Sequence, residues 1–335
     1  MRLNNFCAAT LAALLINIWL IQNLTAATLN DGIVAFAEGR SKEAEAFFMS
    51  KLKEAKFANE SLIYLSKINL QKGDAQAAAK HIDQALLLAP NNAEELLTAG
   101  NVYCGLAQQA SILSALKIAK KCIAYYESAI QIEPENAPAL LAAIKFHMEA
   151  PSIAGGSSKR GRELLDRLEK TAPEDASTYK IYLLDKENKK ADAQALADTL
   201  SQQGFKSAEN QYAVAHYYKE NKLFAQSKAL FTPLLTWPET PQNKWHIQDS
   251  YLQLGEILLT EATDQTQGIK LIETYKMKNN NPDDIHYFWS TWSLAKGYKS
   301  IGQLTKYNDL VNSIKTMDYK KNTAFAKEFD SATAH

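Results

Sequence analysis

An excess of charge of either sign is missing from this chain: 37 basic and 37 acidic side chains among 335 residues leave a formal net charge of zero. Nucleic-acid capture ordinarily rests on a basic domain or stripe, so no nucleic-acid partner is expected. Cysteine is scarce as well. Three in the whole chain cannot staple a disulfide-rich scaffold. The six histidines, His81, His147, His216, His246, His286 and His335, are scattered without metal-ligand spacing. Glycine (13) and proline (9) are few, and with Ala, Leu, Lys, Glu and Gln prominent this favours helices over strands. Also missing are His-Glu-x-x-His, Gly-x-Ser-x-Gly, the phosphate-binding Gly-x4-Gly-Lys-Ser/Thr and Cys-x-x-Cys. No nucleophile, base or metal set converges, so the expectation is a protein without catalytic, metal or cofactor residues. Disorder is excluded by the 46% hydrophobic content.

One long apolar run is present. Met1 and Arg2 precede Phe6 to Ile21, interrupted only by Thr10 and Asn17, and the small residues Thr25, Ala26 and Ala27 follow. This pattern reads as a signal peptide over residues 1–27, leaving a mature chain from Thr28 and pointing to the periplasm. An uncleaved membrane anchor is the alternative, because the run approaches the ~20 apolar residues of a spanning helix. No second segment could span a membrane.

The rest is repetitive. From Ser61 to Pro90, Leu62, Leu65, Ser66 and Asn69 mark one helix, Gly73 and Asp74 a turn, and Ala78, Ile82 and Ala85 a second helix. Small residues at Ser66, Ala78 and Ala85 suit the close crossing of two antiparallel helices. Gly32 and Ala44 repeat the pattern 34 residues upstream, with Gly39 at the turn and Phe48 in place of Ile82. These spacings resemble the tetratricopeptide repeat (TPR). Going forward, Pro90, Pro134 and Pro173 close successive units at intervals of 44 and 39, so two units carry insertions, near residues 106–116 and 150–158. Weaker units follow through Ile181 and Ala193, Ala215 and Ser227, Gly255 and Leu271, and Ala295 and Val311.

About eight helical hairpins, capped by a helix over Asn322 to Asp330, account for nearly all of the mature chain. The expected fold is all-α. The resemblance implies an α-solenoid, a right-handed superhelix with a concave groove lined by the first helix of each hairpin. Trp237, Pro238 and Pro241 divide it into an N-terminal array (28–236) and C-terminal hairpins with their cap (237–335).

Following that resemblance, the groove stripe falls at Lys67, Asn101, Lys145, Tyr182, His216, Glu256 and Lys296, with Ile63, Leu97, Leu141, Thr178, Tyr212, Leu252 and Trp292 one turn before. The Lys67, Asn101, Lys145 series resembles the carboxylate clamp of some family members. It departs from that clamp where Ile63, Leu97 and Leu141 replace further donors. Trp289 and Trp292, followed by Lys296, are candidates either for an interface or for the core. Gly155, Gly156, Ser157, Ser158, Lys159 and Arg160 could cradle an anion or simply cap a helix, and the cap is the expectation. Cys104 and Cys122 flank the first insertion, as a bridge or as two buried thiols. The functional expectation is a periplasmic, non-enzymatic scaffold or adaptor binding a protein or peptide segment. Alternatives are a small-ligand or transporter-associated component, or a structural subunit of an envelope complex.

Overall fold

The computed structural model describes residues 29–240, 242–279 and 285–334. The expected signal segment, Pro241 and His335 lie outside the described residues. Within them every regular element is helical. The helices pair as α1 (residues 29–37) with α2 (Ser41–Lys51), α3 (Ala55–Gln71) with α4 (Ala75–Leu88), and α5 (Ala93–Gln109) with α6 (Ile112–Ile132). Next come α7 (Ala137–Glu149) with α8 (Ser158–Thr171), α9 (Pro173–Lys186) with α10 (Lys190–Gln203), and α11 (Ala208–Glu220) with α12 (Phe224–Leu234). The series ends with α13 (Lys244–Glu261) and α14 (Gln265–Lys278), α15 (Ile285–Ser300) and α16 (Leu304–Lys315), and the cap α17 (Thr323–Thr333). No helix among the described residues is long and apolar enough to cross a membrane.

Local chemistry starts and stops these helices. Asp74 accepts a hydrogen bond from Ala77 N (2.9 Å), Asn92 from Glu94 N, Asn136 from Ala139 N, Asp264 from Gln267 N and Asn322 from Phe325 N. Each satisfies an amide that the first helical turn leaves open. The turns inside six hairpins use a left-handed residue at Gly39, Gly73, Asn188, Lys222, Ala262 and Gly302. This marker steps by 34 from Gly39 to Gly73 and from Asn188 to Lys222, and then by 40 to Ala262 and by 40 again to Gly302. Glycine adopts this conformation without a Cβ clash; lysine and alanine do so at a cost.

The described residues fall into two compact units, with the boundary between Ala176 and Ser177. In each, helices pack against the next along the chain, and alternate helices touch as well: α3 with α5 and α5 with α7 in the first, α11 with α13 and α13 with α15 in the second. This is solenoid stacking, in which a hairpin buries its apolar face only against its neighbours. The small-residue crossings fall where they were expected. Ser66 Oγ donates to Ala78 O (2.9 Å), and twelve residues likewise separate Ser227 from Ala215 O, which its hydroxyl reaches at 2.8 Å. At the α13–α14 crossing two glycines meet, so that a Cβ on Gly255 would lie 2.8 Å from Gly268 O.

The two insertions differ in form. The first was expected as residues between helices; instead it is carried within them, and α6 runs to 21 residues where its counterpart α4 has 14. Alanine, leucine and lysine in Leu106–Leu116 and just beyond are good helix formers, which continue the ladder more readily than they break it. The second is a loop with one short 3-10 turn, Ser152–Ala154, lying against α6.

Candidate partner-binding faces of the two units

In the first unit the expected stripe falls on α3, α5 and α7. Lys67 Nζ pairs with Glu94 Oε1 at 3.1 Å and stands over the Tyr64 ring. Asn101 Oδ1 accepts from the Tyr126 hydroxyl at 2.8 Å. Lys145 is exposed and has no ion-pair partner among the described residues. Two of the three polar tips are thus engaged within the protein, and one cation is left for an outside group.

The Gly155–Arg160 segment is closed from within. Gly156 N donates to Pro151 O and Ser157 N to His147 O, while Ser157 Oγ caps Arg160 N at 3.3 Å. The Arg160 guanidinium donates to Glu127 Oε1 (2.9 Å) and Oε2 (2.7 Å), and His147 Nε2 lies 3.0 Å from Oε1. These donors, Arg160 first and His147 next, hold the Glu127 carboxyl down to about 2. The loop is a cap and a tie between α6, α7 and α8, with its arginine already neutralised. Nearby, Cys104 on α5 and Cys122 on α6 form a disulfide, Cα to Cα 5.2 Å.

In the second unit the first helices α11, α13 and α15, with the cap α17, are stitched by side chains at about the repeat interval. Tyr212 donates to Asp249 Oδ2 (2.6 Å, 37 residues on), and Lys219 Nζ to Glu256 Oε2 (2.6 Å, again 37). Lys219 Nζ also reaches Gln253, and Ser293 Oγ donates to Glu256 Oε1 at 2.6 Å. Trp292 Nε1 and Lys296 Nζ both reach Glu328 Oε1, at 3.0 and 3.3 Å. Beside these pairs lies a cleft of about 480 Å³, lined by the apolar Leu259 and Trp289 and by Lys219, Glu256, Thr260, Ser293, Lys296, Ser300 and Glu328. It can offer an apolar surface, hydroxyls, and charges of both signs within one site.

The sequence-derived candidates therefore separate. Trp289 and Lys296 line this cleft together with Glu256. Tyr212 (8% exposed) and Trp292 (3%) are not groove tips but core residues. Tyr212 packs edge-on to Phe231, Trp245 and His246, and Trp292 edge-on to Phe329, because rings of this size fill the space between successive hairpins. Burial, with the Asp249 carboxylate beside it, raises the Tyr212 phenol so that it stays protonated. His216 is half-exposed, 3.8 Å from Glu220. Tyr182 is exposed, stacked on Tyr179 and approached by Lys186. Sequence reasoning missed Lys219, Thr260, Ser300 and Glu328. Lys219 sits three residues after His216, on the same helix face, and that spacing was the available signal.

No protein-family model matches the chain, and no curated protein matches it. Among solved structures, a thermophilic TPR protein of Thermus thermophilus, TTC0263, is similar over 68% of this chain and 98% of its own, with 16% identity and a TM-score of 0.43. A tetratricopeptide repeat protein from Parabacteroides merdae ATCC 43184 is similar over 81% of this chain and 98% of its own, with 13% identity and a TM-score of 0.48. The human IFIT1 dimer with PPP-AAAA matches over 85% and 66%, with 13% identity and a TM-score of 0.46. These likenesses are too distant to carry a function to this chain.

Proposed function

We propose that the chain is a periplasmic, non-enzymatic scaffold of TPR type, and that its second unit holds an extended segment of a protein partner on the face formed by α11, α13, α15 and α17. The observation that carries this is the cleft at Trp289 and Leu259, whose lining sets the hydroxyls of Thr260, Ser293 and Ser300 together with the Lys219–Glu256 and Lys296–Glu328 pairs. An extended backbone has donors and acceptors along its whole length, and the hydroxyls and exposed edges of these pairs can satisfy both. The ladder between neighbouring helices fixes this lining before a partner arrives, so little ordering is required on binding. An exported location draws support from the apolar run at Phe6 to Ile21 and from the Cys104–Cys122 bridge, since disulfides persist in oxidising compartments. A nucleic-acid partner is not proposed, because the net charge is zero and the cleft lysines are already paired.

The test is a peptide-display selection on the full chain, with Thr260→Trp and Ser300→Trp variants that fill the cleft. Peptides that bind the parent and lose at least tenfold in affinity on the filled variants support the reading. Selected peptides that bind parent and filled variants equally remove this face from it. A second reading rests on cleft size, because about 480 Å³ falls within the range of small-ligand pockets. A change in Trp289 fluorescence on adding a polar metabolite, abolished in the filled variants, would favour that solute-binding role.

A further inference from the structure

The first unit carries two insertions that the repeat does not require, and one helix bears on both: α6, which the first lengthens, packs through its middle against the Ser152–Ala154 turn of the second, with Gly155 facing Ile123 and Lys120. Stacking hairpins explains neither the extra length of α6 nor what that length displays. Ile112 and Leu113, at its free N-terminal end, are 83% and 85% exposed. Leu113, Lys117 and Lys120 fall at i, i+4 and i+7, a single helix face, and all three are exposed. Lys121 lies one step round, over the Tyr103 ring at 5.0 Å. Ile153 of the second insertion is 63% exposed, and Lys159 follows it at the start of α8.

The charge pattern of this region differs from that of the chain as a whole. Between Glu95 and Glu127 there is no acidic residue, and Glu127 is bound to Arg160 and His147. Lys117, Lys120 and Lys121 form no ion pair with any described carboxylate. The carboxylate that faces this region from the neighbouring α4, Asp83, is engaged by the Tyr103 hydroxyl at 2.8 and 2.9 Å, beneath the ring on which Lys121 stands. Apolar side chains stand at a protruding helix end with unpaired cations along the flank behind them.

We infer that this tip docks on an anionic phospholipid surface, with Ile112 and Leu113 entering the headgroup region and Lys117, Lys120 and Lys121 meeting lipid phosphates. A protein partner would require a shaped counter-surface for two aliphatics that stand more than four-fifths exposed. A fluid interface needs none. Lysine stems lie along the apolar boundary and carry their ammonium groups out to the headgroups. The disulfide between Cys104 and Cys122 holds α6 to α5 where the protrusion begins, so the tip meets the surface as a rigid element. This docking is peripheral and independent of the cleft in the second unit.

The experiment uses the full chain with Cys7→Ser and Leu113→Cys, labelled at position 113 with an environment-sensitive fluorophore. A second preparation carries the label at Leu304→Cys, another exposed leucine, in the second unit. Vesicles are phosphatidylcholine alone or phosphatidylcholine with phosphatidylglycerol at about 30%, a strongly anionic surface. Because the label reports its own surroundings, attachment through the apolar N-terminal run is not mistaken for docking of the tip. The expected result is a blue shift at position 113 with phosphatidylglycerol vesicles, none at position 304, and an apparent affinity about fivefold lower for each of Lys117→Gln and Lys120→Gln. The inference is overturned by an unshifted label at 113, by equal shifts at both positions, or by lysine variants that bind as the parent does. A blue shift at 113 that grows with protein concentration and needs no vesicles would overturn it in favour of a second copy of the chain.

Discussion

Lys219 on α11 and Glu256 on α13, 37 positions apart in the chain, are joined by a 2.6 Å hydrogen bond. The same carboxylate accepts from Ser293 on α15, so one side chain ties three successive hairpins along the face that holds the cleft. In a stack whose units touch only their neighbours, such a residue acts on the coupling between hairpins more than on any one of them.

Glu256→Ala should therefore cost about 1–2 kcal/mol, the range for a charge-assisted bond that is partly solvated. A double-mutant cycle with Lys219→Ala in urea unfolding should show a coupling of about 1 kcal/mol. Hydrogen exchange should quicken in α13 and α15 and stay unchanged in α3 and α4. Uniform quickening would mean that Glu256 acts globally and not at the junction.

The meeting of Gly255 and Gly268 leaves no room for a methyl group, since each added Cβ would lie within 3 Å of the other residue's carbonyl oxygen. Gly255→Ala should lose about 1–3 kcal/mol through forced separation of α13 and α14. The turn positions test the opposite sign. Lys222 and Ala262 hold the left-handed conformation that Gly302 holds, so Lys222→Gly and Ala262→Gly should stabilise by up to about 1 kcal/mol, while Gly302→Ala should destabilise by a similar amount. Thermal melts by circular dichroism decide all four.

Reducing the Cys104–Cys122 bridge should lower stability by roughly 3 kcal/mol, the entropy of a loop of this length returned to the unfolded chain. Cys104→Ser should reproduce the loss and make the protein indifferent to reductant. Thiol titration of the denatured, unreduced protein should find neither Cys104 nor Cys122 reactive. A melting curve that reductant leaves unmoved in the parent would remove the bridge from the account of stability.

Acid should act at Glu127. Its carboxyl lies at about 2 when folded, against an ordinary 4.5, through the bonds from Arg160 and His147. A carboxyl depressed by folding stabilises fully above its unfolded value, and that contribution is lost as pH falls from about 4.5 through 2. Glu127→Gln should be less stable than the parent at neutral pH, with the difference shrinking across that window. Denaturation midpoints at about pH 7, 4 and 2.5 measure it, and a constant difference would place the effect in packing instead.

The hairpins of the first unit were legible because their period is carried by residues that crossing helices demand: Gly32, Ala44, Ser66 and Ala78 have small side chains for a reason visible in sequence. The later period of 40 was hard to see because Lys222 and Ala262 occupy the turn position that glycine marks elsewhere. For the cleft, Glu256 and Lys296 were on the expected stripe, yet their partners Lys219 and Glu328 could not be assigned. Which carboxylate a lysine reaches depends on the offset of the neighbouring hairpin, and that offset is set by packing. Tyr212 and Trp292 had the right helical phase but lie too close to the crossing, where large rings become filling.

The bridge between Cys104 and Cys122 has a mechanical side. A stacked chain pulled from its two ends can give way one hairpin at a time, each releasing its full contour. Here the span between the two cysteines, 18 positions, is short-circuited, so the oxidised chain should pay out on the order of 60 Å less than the reduced one at ~3.5 Å per residue. The third hairpin would then appear in a force-extension trace as a shortened step, a length standard built into the chain by which every other step could be counted.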